Sequence, residues 1–413
     1  MASVKLSEAV LASLERVGPV DVAVGLLTFN SAETLDGMLD VVTEGLAHHF
    51  PALKAALVVS DAGSSDATRE RAEAAALPTI VTEHEAPAGE RVKVPFHGVP
   101  GRGSGLRTTF EIAHRLGARA LVLLEADTVS AVSDWIPRLA GPVLDGKADF
   151  VAPVYARHRY EGTISRLLLS PLLRALYGRR LHQPLGGQQA LSARLLEHLL
   201  INPKWSWTGG DVSDMWITGT AIADGFAVAE AWLGRHQVRS RTRTSDLPTM
   251  LAQTVGAAFT LMQRHEDLWL EVVGSESIPG FGDAVPLGTE PMTVDVEGMR
   301  EAFALGARDL TGIWELILAP DTLAEVLALD TAGRLTFPDD LWARVVYDFA
   351  LGHHYSVVHR DHLLRSLTPL YLGRTAAFVL ATATASAAAS QGQLDAVGAA
   401  FERQKPYLVE HWR

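Results

Sequence analysis

An apolar run that ends in two acids is the feature of this chain that most constrains its fold. Residues 120–124 read Ala-Leu-Val-Leu-Leu, and Glu125 and Asp127 follow with one residue between them. A run this short fits a buried strand. Where a strand ends the chain turns, so the two carboxylates can meet different partners, and their oxygens suit Mg²⁺ or Mn²⁺ carrying a diphosphate. The run predicts a strand with a candidate metal site; a plain strand ending in acids is the alternative.

Strand-like and helical patterns alternate through the first half of the chain. Residues 20–29, 55–60, 79–83 and 150–155 are strand-like, and helical patterns lie between them. Such alternation predicts an α/β fold with a mostly parallel sheet and helices on both faces. Ligands bind beyond the carboxyl ends of strands in such sheets. Thr28, Asn30, Asp61 and Asp127 all lie at such strand ends, so we expect them at one edge.

The second half of the chain is mainly helical. Helical patterns cover residues 247–266, 296–305, 322–329, 338–351 and 360–386. We therefore expect a first domain at 1–245 and a helical region at 246–413 that covers an acceptor site or forms a homodimer. The Gly- and Pro-rich stretch at 274–289 predicts a linker or a lid.

Composition excludes several classes of protein. The 413 residues carry a net charge of -12, which disfavours nucleic-acid binding. There is no Cys, hence no disulfide and no thiolate chemistry. The first residues lack a signal-peptide pattern, and the apolar stretch at 369–390 contains Arg374, which predicts a buried or interface helix. We expect a cytoplasmic protein without membrane spans.

Two loops have compositions that suit an anionic ligand. Asp61-Ala-Gly-Ser-Ser-Asp follows a strand and suits a nucleobase and ribose; a capped helix start is the alternative. Pro100-Gly-Arg-Gly-Ser-Gly lacks the end of a Walker A loop, yet its glycines let an anion approach the backbone and Arg102 can pair with phosphate. An ordinary Gly-rich loop is equally compatible.

Three further positions are candidates with structural alternatives. His236 follows a strand and suits a metal ligand, although a lone His is more often structural. Asp211 suits an acceptor hydroxyl or a base, with helix capping as its competitor. Arg157, His158 and Arg159 form a basic cluster in an acidic chain, which suggests an anionic acceptor; a solvated surface cluster is the alternative.

Taken in order, these motifs resemble those of a known enzyme group. The stretches are Leu-Thr-Phe-Asn-Ser-Ala-Glu-Thr at 27–34, Asp-Ala-Gly-Ser-Ser-Asp-Ala-Thr at 61–68, Pro-Gly-Arg-Gly at 100–103, Glu-Ala-Asp at 125–127 and Gln-Pro-Leu-Gly-Gly-Gln at 183–188, with His236 later. Over about residues 20–245 the chain resembles the retaining GT-A glycosyltransferases that make glucosyl-3-phosphoglycerate, glucosylglycerate and mannosylglycerate. The helical region is more loosely similar to the tail of mannosylglycerate synthase.

The resemblance implies a GT-A catalytic domain that moves glucose or mannose from a GDP- or UDP-linked donor to D-glycerate or 3-phosphoglycerate, as in compatible-solute synthesis. The cofactor would be Mg²⁺ or Mn²⁺, held by Asp127 and His236. The donor-binding residues would be Thr28, Asn30, Glu33, Asp61, Gly63, Arg102, Gly103, Glu125, Ala126, Gly186, Gly187 and Gln188. The acceptor-binding residues would be Arg157, Arg159, Thr163, Gly186 and Asp211, and the catalytic residues Arg102, Leu185 and Asp211.

The chain departs from the family pattern at three positions. Glu125 replaces the commoner Asp, Gln188 replaces a Glu and Arg102 replaces a Lys. Arg and Lys differ in the geometry with which they contact a phosphate group. The donor sugar and nucleobase therefore stay open. Two other functions also stay open: an inverting family-2 transferase with Asp211 as base, although no Gln-x-x-Arg-Trp element follows it, and a non-catalytic sugar-nucleotide-binding protein. In the retaining reaction, the metal and Arg102 would neutralise the leaving diphosphate, and a phosphate oxygen would take the acceptor's proton.

Overall fold

The computed structural model describes residues 5–92, 95, 97–202, 213–239, 246–330 and 335–412. The chain forms two compact units. The first comprises Met1–Ala156, Gln183–Ser245 and Ile278–Val285, and the second comprises Arg157–His182, Asp246–Ser277 and Pro286–Arg413. Two segments of these units do not follow the expected division at residue 245. Arg157–His182 joins the helical unit because its apolar residues are buried there, and the Trp342 indole donates to Leu167 O at 2.7 Å.

An eight-stranded sheet runs through the described part of the first unit, in the order β10-β8-β5-β7-β4-β1-β2-β3. Its strands are β1 Val22–Thr28, β2 Ala55–Asp61, β3 Thr79–Glu83, β4 Ala120–Glu125, β5 Phe150–Ala156, β7 Gln189–Ser192, β8 Val228–Arg235 and β10 Gly280–Phe281. All pairings are parallel except those of β7, which runs antiparallel to β4 and β5. The predicted α/β class with a mostly parallel sheet is confirmed.

The stretch expected to be a linker or lid instead contributes to both units. Gly280–Phe281 pairs with β8 as the edge strand of the sheet. Glu276–Ser277, β9, pairs with Arg179–Arg180, β6, in the second unit. Backbone hydrogen bonds form strands here despite the many Gly and Pro residues. A strand of two residues shows no side-chain periodicity from which it could be predicted.

Helices cover both faces of the sheet, as predicted. Those of the first unit are α1 Glu8–Val17, α2 Ala32–His49, α3 Thr68–Glu73, α4 Ala88–Val92, α5 Arg102–Arg115, α6 Trp135–Leu144, α8 Ala193–Ile201 and α9 Ser213–Ala223. Val24 of β1 belongs to the core cluster shared with α2 and α6. Gly25, its neighbour, faces α5 so closely that a Cβ would lie 2.6 Å from Thr109 Cγ2. Successive residues of β1 therefore point to opposite faces of the sheet and pack against the helices on each face.

The strand register brings the candidate side chains to one edge. Thr28 pairs with Asp61 across β1 and β2, and Leu27 pairs with Glu125 across β1 and β4. All residues of β1 are buried, as expected for a parallel strand covered on both faces. The carboxyl ends of β1, β2 and β4 therefore lie side by side.

The second unit is helical, as expected. A π-helical turn at Ser165–Leu169 precedes α7 Ser170–Tyr177, and the later helices are α10 Leu247–Arg264, α11 Glu266–Trp269, α12 Val296–Asp309, α13 Thr311–Ile317, α14 Pro320–Leu327, α15 Asp339–His354, α16 Arg360–Thr382 and α17 Ala387–Trp412. Trp314 and Trp342 are fully buried. Arg374 of α16 is also buried, where it pairs with Asp339, so the predicted buried helix is confirmed. No helix in the described ranges is both long and apolar enough to span a bilayer.

Gly45 tests the packing of α2 on α6. A Cβ there would lie 2.6 Å from Ile136 Cγ1 and 2.7 Å from the backbone oxygen of Ser133. We expect Gly45→Ala to lower the free energy of unfolding by about 1–3 kcal/mol because a backbone group must shift. Urea unfolding followed by circular dichroism measures this change.

Gly37 of the same helix is the matched control, since a Cβ there would meet nothing within 4 Å. Gly37→Ala should raise stability by about 0.5–1 kcal/mol through helix propensity. Equal effects of the two substitutions would contradict the packing described.

Candidate functional site

Glu125, Asp127 and His236 lie on adjoining segments at the carboxyl end of β4. Thr128 forms an antiparallel bridge with Val238, and the Arg239 N–H donates to Asp127 O at 2.9 Å. This short pairing extends the sheet edge beyond β4 and β8. The turn after β4 therefore positions both acids next to the segment that carries the histidine.

Glu125 is held as a carboxylate by its neighbours. Its Oε2 lies 3.5 Å from His236 Nε2, with 19% and 14% of the two side chains exposed. Burial by itself raises the pKa of Glu125, but contact with His236, the charge of Arg102 and a hydrogen bond from Gln188 outweigh it and lower the pKa to about 2. An acid ionised at every physiological pH suits the binding of a cation.

The ring of His236 is held in place as a candidate metal ligand. Its ring stacks on Tyr155 with centroids 4.2 Å apart and planes at 20°. Its Nε2 is buried and, within the described residues, makes no hydrogen bond of good geometry beyond its 3.5 Å contact with Glu125 Oε2. A buried nitrogen without such a bond is costly unless another ligand completes it. A divalent metal fits this position.

Asp127 supplies a second candidate ligand. Thr34 Oγ1 donates to its Oδ1 at 3.3 Å, and Arg239 Nη2 lies 3.6 Å from the same oxygen. The described residues contain no group of three or more His, Asp or Glu side chains placed to hold a metal. Mg²⁺ commonly takes one or two carboxylates and completes its shell with water and phosphate. The donor set therefore fits a metal that arrives with a diphosphate.

Gln188 is fully buried in the hydrogen-bond network around Glu125. Its Nε2 donates to Glu125 Oε2 at 3.2 Å and to Thr128 Oγ1 at 2.9 Å, and its Oε1 accepts from the Tyr155 hydroxyl. Gly187 is needed beside it, since a Cβ would lie 2.0 Å from Glu125 Oε1. Gly186 likewise packs on Pro153. The Gly-Gly pair predicted to border a ligand thus also lets the backbone pass close to Glu125.

Arg102 forms a buried bidentate ion pair that the sequence analysis did not predict. At the start of α5, its Nε and Nη2 donate to the two carboxylate oxygens of Asp214 at 3.0 and 2.8 Å. Burial opposes the charge of Arg102, but Asp214 and Glu125 raise the pKa of the guanidinium. Burial raises the pKa of Asp214, while Arg102 partly offsets that rise. In this arrangement the cation expected at the phosphate is held by a carboxylate.

The loop after β2 is built around Asp61. Asp61 Oδ1 accepts from the N–H groups of Gly63 and Ser64 at 2.9 and 2.7 Å, and Oδ2 accepts from Thr28 Oγ1 and Ser64 Oγ at 2.7 and 2.6 Å. Both Thr28 and Asp61 are fully buried. Their contact with a nucleoside stays a prediction, and here they shape the loop.

Asn30 and Glu33 complete the neighbouring edge. Asn30 has φ 50°, and its side-chain oxygen accepts from the Ser65 N–H at 2.8 Å. Glu33 accepts from Arg239 Nη1 at 2.9 Å. Arg239, which no motif indicated, therefore contacts Glu33 and lies beside Asp127.

A cavity of about 540 Å³ adjoins this loop. Its lining is Glu83, His84, Glu85, Ala86, Ala88 and Arg91. The Arg91 guanidinium lies over Gly63, where a Cβ would be 3.0 Å from its Nη2. The His84 ring is fixed between Ser60 Oγ at 3.0 Å and Pro100 O at 2.9 Å. The sequence analysis did not identify this cavity because its lining follows β3 without a motif.

The other predicted residues lie as follows. Leu185 is half-buried, Ala126 is buried and Gly103 lies in the first turn of α5. Asp211 lies outside the described residues. In the second unit, Thr163 Oγ1 hydrogen-bonds the Tyr371 hydroxyl at 2.5 Å.

Arg159 has a structural role in the second unit. Its Nη1 and Nη2 donate to the carbonyls of Ala385 and Ala383 at 2.6 and 3.1 Å, just beyond α16. Only 7% of the residue is exposed. Arg159 therefore supplies hydrogen-bond donors to carbonyl groups at the end of a helix, a role that its position in the sequence could not reveal.

The chain is similar to glucosyl-3-phosphoglycerate synthases. That of Mycolicibacterium paratuberculosis is 25% identical over 262 residues, 59% of this chain and 72% of the relative. That of Mycobacterium tuberculosis is 26% identical over 200 residues, 44% of this chain and 56% of the relative. The matches thus span about half to three quarters of the relatives' length. The predicted resemblance and the class of enzyme, a glycosyltransferase, are confirmed.

Among solved structures, the M. tuberculosis enzyme in complex with Mn²⁺, uridine-diphosphate-glucose and phosphoglyceric acid is 22% identical, with a TM-score of 0.45 over 64% of this chain and 86% of that one. Its complex with phosphoglyceric acid alone is 24% identical, with a TM-score of 0.44 over 62% and 83%. No protein-family model matches the chain.

The Arg102–Asp214 pair yields a stability prediction. Asp214→Asn leaves a guanidinium buried without its counter-charge, so we expect a loss of about 3–5 kcal/mol in the free energy of unfolding. Asp309→Asn, which breaks the exposed pair with Arg308, should change little. Chemical unfolding of both variants measures the contrast, and a small loss at Asp214 would contradict the burial described.

Glu125 yields a pH prediction for the metal-free protein. Its pKa falls from 4.5 to about 2 on folding. The unfolded state therefore takes up the proton first, so the stability that Glu125 contributes, on the order of 3 kcal/mol, is present above pH ~4.5 and is lost as pH falls towards ~2. Wild-type and Glu125→Gln should differ most near pH 7 and converge in acid, as urea unfolding at several pH values would show. A difference that grows in acid would contradict this assignment.

Proposed function

We propose that this chain is a metal-dependent glycosyltransferase that moves a glucosyl group from a nucleoside-diphosphate sugar to 3-phosphoglycerate, with retention at the anomeric carbon. The observation that carries the proposal is the buried His236 Nε2, whose partner is the Glu125 carboxylate at 3.5 Å. The Thr128–Val238 bridge joins the segment of His236 to the segment that carries Asp127. The similarity to glucosyl-3-phosphoglycerate synthases supports glucose and 3-phosphoglycerate over mannose and D-glycerate.

The residues divide the work by their chemistry. Asp127 and His236 would hold Mg²⁺ or Mn²⁺, which when bound neutralises charge on the leaving diphosphate. Glu125 stays ionised and orients His236, while Gln188 fixes the Glu125 carboxylate. The cavity beside Gly63 would receive the nucleoside.

In the proposed retaining reaction, the bond between C1 and the diphosphate breaks and the acceptor oxygen forms its bond to C1 on the same face, so no enzyme nucleophile is required. The acceptor's proton passes to a phosphate oxygen of the leaving diphosphate, which takes the place of an enzyme base. The inverting alternative keeps Asp211 as its base, and a binding protein without catalysis would hold the donor unchanged. The anomer of the product and turnover of the donor distinguish the three.

The assay offers GDP-glucose, UDP-glucose and the matching mannose donors with Mg²⁺ or Mn²⁺, and 3-phosphoglycerate or D-glycerate as separate acceptors. We expect an α-linked glucosyl product with 3-phosphoglycerate, read by NMR. Asp127→Asn and His236→Ala should each reduce kcat/KM by about 10²-fold or more, since each removes a ligand to the metal.

Asp134→Asn is the control, because Asp134 carries the same carboxylate on the exposed N-terminal end of α6. It should retain wild-type turnover. A β-linked product would support the inverting alternative, and donor binding without turnover in any combination would support the binding protein.

A further inference from the structure

Arg239 lies beside the candidate metal site, on the same segment as His236. Its backbone N–H donates to Asp127 O at 2.9 Å, which holds the segment after β8 against the turn after β4. His236 Nε2 lies 3.5 Å from Glu125 Oε2. Arg239 Nη2 lies 3.6 Å from Asp127 Oδ1. The segment therefore places one basic side chain beside each of the two acids.

The guanidinium group of Arg239 is anchored by groups other than the Asp127 carboxylate. Its Nη1 donates to Glu33 Oε2 at 2.9 Å, and its Nη2 donates to Asn30 O at 2.5 Å. Both partners lie where β1 leads into α2. Within the described residues, Arg239 Nε is buried and makes no hydrogen bond. The position of the positive charge is therefore set by the start of α2 and does not depend on Asp127.

The charge of Arg239 is only partly offset by its acidic partner. Glu33 has 77% of its side chain exposed, so water screens its attraction for the guanidinium. Arg239 and Asp127 have 21% and 13% of their side chains exposed, so the interaction between these two is screened less. Arg102 differs, because the buried carboxylate of Asp214 pairs with it at 2.8 Å. Arg239 thus leaves positive charge at the carboxylate that is a candidate metal ligand.

We propose that Arg239 is a fixed positive charge that weakens the binding of a free divalent cation at Asp127, and that the negative charge of a diphosphate offsets this effect. The inference rests on the proposed function for the metal and the diphosphate. A guanidinium and a divalent cation beside one carboxylate repel each other about twice as strongly as two single charges at the same distance. The site then retains a metal mainly while a nucleotide is bound.

Arg239 also has an orienting effect on Asp127, which acts in the opposite direction but is smaller. Arg239 and Thr34 both contact Asp127 Oδ1. The contact of Arg239, at 3.6 Å, is longer than a hydrogen bond, whereas Thr34 Oγ1 donates to this oxygen at 3.3 Å. Loss of the guanidinium therefore removes the repulsion while Thr34 still orients the carboxylate.

Calorimetric titration with Mn²⁺, first alone and then with UDP or GDP, tests the inference. The electron paramagnetic resonance signal of free Mn²⁺ gives an independent reading. We expect Arg239→Gln to bind Mn²⁺ alone about 10-fold more tightly than the wild type, because the repulsion is lost. The factor by which the nucleotide raises the Mn²⁺ affinity should fall. Arg239→Lys keeps the charge and should stay close to the wild type.

Arg119→Gln is the matched control, since Arg119 is exposed and precedes β4 at its opposite end. It removes the same charge from the chain and should bind Mn²⁺ as the wild type does. Glu33→Gln is a variant in the other direction: it keeps an oxygen that can accept from Arg239 but removes the offsetting charge, so it should weaken the binding of Mn²⁺ alone. Because Glu33 is exposed, this variant still tests the inference if Arg239→Gln does not fold.

Three results would overturn the inference. One is a folded Arg239→Gln whose affinity for Mn²⁺ alone is unchanged or weaker. The second is a wild type that binds Mn²⁺ equally tightly with and without UDP or GDP. The third is an unchanged or tighter affinity for Mn²⁺ alone in Glu33→Gln.

Failure of the proposed function would look different. If no glucosyl transfer occurs while Arg239→Gln gains affinity for Mn²⁺, the effect of Arg239 on the metal stands and the proposed reaction falls. If transfer occurs and a folded Arg239→Gln keeps the wild-type affinity for Mn²⁺, the reaction stands and the inference falls.

Discussion

The buried ion pair between Arg102 and Asp214 is the interaction on which the electrostatics of the sheet edge depend. Two charges with 3% and 5% of their side chains exposed are costly unless paired, and here the pairing is bidentate. Arg102 also lowers the pKa of Glu125, and Glu125 in turn raises the pKa of Asp214. The charge of Arg102 therefore favours the ionised form of both carboxylates, whereas Glu125 disfavours ionisation of Asp214.

The departures from the family pattern are physically linked. Gln188 Nε2 donates to Glu125 at 3.2 Å, so a glutamate at position 188 would bring two carboxylates together at that spacing. Like charges so close would raise the pKa of one of them. The neutral amide at position 188 avoids this repulsion. Gly187 makes the arrangement possible, because any larger residue would collide with the same carboxylate.

Residue patterns predicted the parts of the fold that depend on periodicity. The strands at β1, β2, β3 and β5, the helix α2 and the strand-end position of Glu125 are all present as expected. Tertiary partners decided the rest. The four residues of β7 are too few to show alternation, and its antiparallel direction is set by β4 and β5. The hydrogen bonds of Arg159 to the carbonyls beyond α16 could not be predicted, because those carbonyls are more than 200 residues away in the sequence.

The same limit applied to Asp214. A local motif points to Asp211, the acid next to two glycines, whereas the partner of Asp214 lies 112 positions earlier in the sequence. Arg102, for its part, matched a phosphate-binding loop in composition. A buried cation in a Gly-rich loop is ambiguous until its counter-charge is located, and here Asp214 supplies it.

The loop after β2 adds a constraint on how a nucleotide can be recognised. Asp61 uses both carboxylate oxygens within the chain, accepting four hydrogen bonds from Thr28, Gly63 and Ser64. A carboxylate satisfied in this way costs little to bury. Its hydrogen bonds from the N–H groups of Gly63 and Ser64 fix the backbone of the loop. Contacts to a nucleoside would then come from the loop's backbone and from Arg91, whose guanidinium already covers Gly63.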